Sequence, residues 1–175
     1  MTATRPTVIS RRLMICRGGG ATAALAAGLI ATASRARTAS AGDLDACYNK
    51  LLDAYMEAVN AHDTGKFPAI FTDSYIQHSG RSPSGLQGQI ANFVRIFENW
   101  PDFQLRFEDR IFSGEKIVAR TALSGTHTRP VLGFPPTGRR VTWGAIDIWR
   151  VENGMLAEHW DVVDVAALQK QLRGE

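Results

Sequence analysis

Residues 140–164 read RVTWGAIDIWRVENGMLAEHWDVVD, two runs of alternating side chains around a Glu152-Asn153-Gly154 turn signal. Branched and aromatic residues at every second position predict strands over Arg140–Val151 and Met155–Asp164, and Asn-Gly between such runs predicts a hairpin. A three-residue loop with Gly154 in the left-handed region sets Val151 opposite Met155. On one face Arg150 is expected opposite Glu158, Ile148 opposite Trp160 and Ile146 opposite Val162, an opposite-charge pair beside apolar ones. On the other face Asp147 is expected opposite His159, and Ala145 opposite Asp161, between Trp143 and Trp149. A two-residue Asn-Gly turn would instead set Asp147 against Trp160, turning the chemical residues to different faces.

Upstream, the period changes twice. Phe103, Leu105 and Phe107 alternate with polar residues, Ser113-Gly114-Glu115 turns the chain, and Ile117–Thr128 continues as a strand rich in small and branched residues. Before Pro101 the period is helical. Leu44, Cys47, Tyr48, Leu51, Leu52, Tyr55 and Val59 form one apolar stripe, and Leu86, Ile90, Phe93, Val94, Phe97 and Trp100 a second. A short helix around 66–71 and an extended piece over Ser74–His78 lie between them, and Ser79–Gly85 is turn chemistry. Arg129–Gly138, with three prolines and two glycines, is a loop, and Val165–Leu172 a closing helix. Helices followed by a strand meander predict an α+β fold, a curved antiparallel sheet packed on the N-terminal helices.

The first 41 residues have another character. They hold six arginines and no acid, with Arg11-Arg12 ahead of a Gly/Ala-rich apolar run and a small-residue site at Ala39-Ser40-Ala41. That order predicts a cleaved twin-arginine signal over 1–41 and a domain over 42–175, hence a periplasmic or secreted protein with no stable membrane span after cleavage. Without the six arginines, a net charge of +3 becomes −3, with 14 basic residues against 17 acidic. The basic balance belongs to the leader, so nucleic acid is not an expected partner. Cys47 lies on the first apolar stripe and reads as a core side chain.

Several short stretches recur in an order that resembles the SnoaL-like polyketide cyclases, or ester cyclases, of the nuclear transport factor 2-like fold. They are Tyr75-Ile76-Gln77-His78, Trp100-Pro101-Asp102-Phe103, Gly125-Thr126-His127-Thr128, the run Leu132–Arg139, Asp147-Ile148-Trp149-Arg150, and Asn153-Gly154 followed by Glu158-His159-Trp160-Asp161. The resemblance runs from about Leu44 to Leu172. It implies a cone-shaped fold around one deep apolar pocket, and ring closure by intramolecular aldol chemistry with an aspartate as acid/base and no cofactor or metal. Ser79-Gly80 stands where the family often has Asn-Pro, and Arg129 where it often has glycine. Both fall near the expected pocket rim, so the substrate is not carried over.

An aldol cyclisation needs a group that removes a proton beside a carbonyl and returns one to the alkoxide. A carboxyl in an apolar pocket suits that task. Asp161 is assigned as the acid/base, with His159 and Asp147 as its orienting pair. His78 is a rim donor, and Tyr75, Trp143 and Trp149 are candidate substrate contacts. The function expected is a cyclase, lyase or isomerase acting on a hydrophobic carbonyl compound. A secreted small-molecule-binding protein of the same shape and an epoxide-type hydrolase are the alternatives. Ile146, Ile148, Trp160 and Val162, on the face opposite the pocket, predict a homodimer.

Overall fold

The computed structural model describes residues 41–175; the predicted leader lies outside them apart from Ala41. The elements follow the order α1 (Ala41–Asn60), a 3-10 helix (Thr64–Ala69), β1 (Phe71–Gln77), α2 (Leu86–Asn99), β2 (Gln104–Ser113), β3 (Lys116–Thr126), β4 (Arg140–Glu152), β5 (Met155–Val163) and α3 (Val165–Arg173). The five strands form a curved, unclosed sheet in the order β1-β5-β4-β3-β2. All neighbours are antiparallel except β1, which runs parallel to β5. This α+β architecture is the one predicted, with one parallel edge added. Among the described residues no helix is long and apolar enough to cross a membrane.

The inner sheet face and the helices share one core. Tyr55 on α1 sits edge-on to Phe71, Phe93 and Trp149, with ring centroids 5.5, 6.0 and 5.9 Å away. Such edge-to-face pairs add to plain area burial. Asn60, the last residue of α1, donates to the Leu105 carbonyl at 3.0 Å and accepts from the Leu105 amide at 2.8 Å. The end of the helix is thereby fixed to the start of β2. Cys47 is half-buried rather than a core residue.

β4 is the central strand, and its alternation is complete. Val141, Trp143, Ala145, Asp147, Trp149 and Val151 are buried on the inner face. Asn153 and Gly154 both have positive φ, 52° and 77°, and Glu152 faces Met155. The turn is therefore the two-residue form, whose twist matches the strands, and not the expected three-residue loop. Val151 faces Leu156 while Arg150 faces Glu158, so Ala157 is an extra residue in β5.

This bulge restores the expected outer pairs, Arg150–Glu158, Ile148–Trp160 and Ile146–Val162. It corrects the inner ones. Asp147 faces Asp161, not His159; Ala145 faces Val163, not Asp161; and Val151 does not face Met155.

Candidate active site

Between α2, the sheet and the loop 129–138 lies a cavity of about 310 Å³. Its apolar wall includes Phe93, Phe103, Leu105, Leu123, Trp143 and Leu168. Trp100 packs on Trp143 with ring centroids 5.0 Å apart. Leu132, at φ 52° and 51% exposed, brings the loop tip to the cavity edge. Asp147, His159 and Asp161 all line it, and an atom of each lies within 4.8 Å of the others.

The three are joined differently from the simple cross-strand pair. His159 lies opposite Trp149 and its ring stacks on that indole, centroids 5.0 Å apart and planes 10° apart. From there Nε2 reaches diagonally to Asp147 Oδ1 at 2.9 Å. Thr121 Oγ1 donates to the other oxygen of Asp147 at 2.5 Å. Gln77 Nε2 meets His159 Nδ1 at 3.0 Å, while Gln77 Oε1 accepts the Ser79 amide at 3.2 Å. The last contact fixes which way the Gln77 amide faces. Its nitrogen must donate, so Nδ1 accepts and the imidazole proton sits on Nε2, toward Asp147.

Asp161 is held from another direction. Arg81, in the loop after β1, forms an ion pair with Oδ2, and the Asp161 side chain is only 7% exposed. Its Oδ1 is buried without a hydrogen-bond partner. Burial pushes the phenol of Tyr55, another lining residue, well above its ordinary range, and the Asp147 charge adds to the shift.

The remaining sequence candidates divide. Trp143 lines the cavity as expected. Trp149, 1% exposed, and Tyr75, 0% exposed, lie behind the wall in the core and do not line it. His78 is on the outer sheet face, not the rim. Its ring stacks on Trp160 at 4.4 Å, and Nε2 meets Glu158 at 3.2 Å. Gln77 takes the inward position beside His159 because neighbouring strand residues alternate. Arg81, Gln77 and Thr121 were not singled out in the sequence. A metal fits the Asp-His-Asp cluster poorly, since both imidazole nitrogens and both Asp147 oxygens already hold hydrogen bonds.

The curved, antiparallel-dominated sheet thus encloses an apolar cavity into which two carboxylates and an imidazole face. The sequence profile of SnoaL-like polyketide cyclases matches residues 49–172, and the chain belongs to that family. It is 27% identical over 126 residues to the nogalonic acid methyl ester cyclase of Streptomyces nogalater, covering 65% of this chain and 90% of that protein. Among solved structures, TsrD of Streptomyces laurentii is 32% identical with a TM-score of 0.67, covering 71% of this chain and 93% of that one. A SnoaL-like polyketide cyclase of Agrobacterium tumefaciens is 25% identical with a TM-score of 0.64, covering 71% and 96%.

Proposed function

We propose that the protein is an exported, cofactor-independent cyclase that closes a ring on a hydrophobic carbonyl compound, with Asp161 as acid/base. What supports the reading is the unequal state of two facing carboxylates. Asp147 spends both oxygens on Thr121 and His159, whereas Asp161 keeps one buried oxygen without a partner beside the cavity. Asp161 Oδ1 takes the proton from the carbon next to a carbonyl. The enolate carbon bonds to a second carbonyl carbon of the same molecule, and the proton returns to the new alkoxide, so the reaction is a net isomerisation. Asp147 and His159 hold the wall around it, ordered by Gln77 and Thr121. The leader carries the folded domain out of the cytoplasm, and the outer sheet face, where Ile146 and Val162 are 44% and 74% exposed, pairs two copies.

Asp161→Asn keeps the shape and removes the titrating oxygen. It should lower turnover by about 10² to 10⁴ while thermal stability stays near that of the unmodified protein. Full activity of this variant on a verified substrate removes the acid/base assignment. A bound ligand that is never converted, by either protein, makes the domain a carrier.

A further inference from the structure

The cavity wall changes character along α2. Its later end and the Trp100 that follows are apolar, whereas Gln89 and Asn92, earlier in the helix, are polar and share the cavity with Arg81, Ser82 and Arg95. From Gln89 to Trp100 is roughly 16 Å at helical rise. Two buried side-chain atoms at the polar end lack any partner: Gln89 Oε1, on a residue only 2% exposed, and Ser82 Oγ. Buried polar groups are rarely left so, because each carries a desolvation penalty. Their presence marks this end as shaped for a polar group of a ligand.

Charge decides which group. Arg81 is neutralised by Asp161. Arg95 has no carboxylate partner among the described residues; its Nη2 donates to Asn92 Oδ1 at 2.8 Å and to the Arg81 carbonyl at 3.2 Å. A guanidinium held by two neutral acceptors at a cavity edge keeps donors for an anion, and its planar fork suits a carboxylate. We propose that the substrate is a free acid. Its apolar ring body lies against Trp100, Phe103 and Trp143, and its carboxylate meets Arg95 beside Arg81 and the hydroxyl of Ser82, which can donate to it. This rests on the reading that the cavity receives the substrate, and it distinguishes a free acid from the methyl ester in the name of the Streptomyces nogalater relative.

The test uses 2-naphthoate and methyl 2-naphthoate as probes, titrated into the purified protein and followed by quenching of tryptophan fluorescence. One charge-assisted contact should make the acid bind at least about tenfold tighter than its ester. Arg95→Gln should weaken the acid alone and erase the difference, while Arg95→Lys should keep part of it. An ester that binds as tightly as the acid, equal weakening of both probes by Arg95→Gln, or binding of neither probe overturns the proposal. Asp161→Asn separates this from the catalytic reading. Acid preference with no turnover of any acid by either protein leaves the binding proposal and removes the cyclase, whereas turnover of an ester without acid preference does the reverse.

Discussion

Replacing Thr121 by valine tests the polar chain that fixes the inner face of the sheet, and it needs no substrate. Thr121 is 1% exposed, and its hydroxyl is one of two donors to Asp147. Valine keeps the volume, the branch at Cβ and the preference for a strand, so the change is confined to the hydroxyl. Asp147 Oδ2 would then be buried, charged and without that donor. Hydrogen bonds to charged groups contribute about 1.5–3 kcal/mol. For a domain of this size that corresponds to a fall in Tm of about 6–10 °C. Thr121→Ser is the control. It keeps the donor and loses one methyl group, about 0.8 kcal/mol, so it should melt well above the valine variant. Thermal unfolding followed by circular dichroism at neutral pH reads both. A valine variant that melts with the unmodified protein, or below which the serine variant falls, would refute the argument that this hydroxyl holds Asp147.

Three further outcomes are expected. A Cβ on Gly125 would meet Trp100 Cε3 at 2.9 Å, so Gly125→Ala should push the indole off Trp143, destabilise by about 1–3 kcal/mol and change the fluorescence spectrum; an unchanged melt contradicts that packing. Val162→Glu, at a residue 74% exposed, should yield monomer in sedimentation with an intact fold, and a protein that is monomeric before the change removes the proposed dimer. Changing Arg11 and Arg12 together to lysine should leave precursor in the cytoplasm, and undiminished export and processing would overturn the twin-arginine assignment.

The element order was legible because each element carries its own period, and Pro101, Gly114 and Asn153-Gly154 mark the breaks. The family resemblance supplied the cavity. What the sequence hid were contacts between elements distant along the chain. Which side of β1 faces inward depends on its parallel pairing with β5, for which no local pattern exists, and so the sequence points to His78 and not Gln77 at the rim. Arg81 sits in a turn without periodicity, and only the folded chain brings it to Asp161. Gln89 did leave a signal: it is a polar residue at an inward position of an otherwise apolar stripe, between Leu86 and Phe93. Tyr75 and Trp149 lie one layer deeper than expected, since alternation gives the side of a sheet but not the depth behind a cavity wall.

Ala157 has no chemistry of its own, yet it sets the parity of everything after it in β5. With Ala157 taken into the ladder and the two-residue turn retained, Asp147 would face Trp160, and the inward and outward sets of β5 would exchange. An indole would enter the cavity while Asp161 and His159 turned toward solvent, without any loss of a functional side chain. Deletion of Ala157 itself would close the bulge and leave Asp147 facing Asp161, so it is expected to be tolerated. Insertions in the 129–138 loop shift no register of this kind. Within this hairpin, the parity of the ladder and not the number of residues dictates tolerance to length change, and the bulge at an alanine carries that parity.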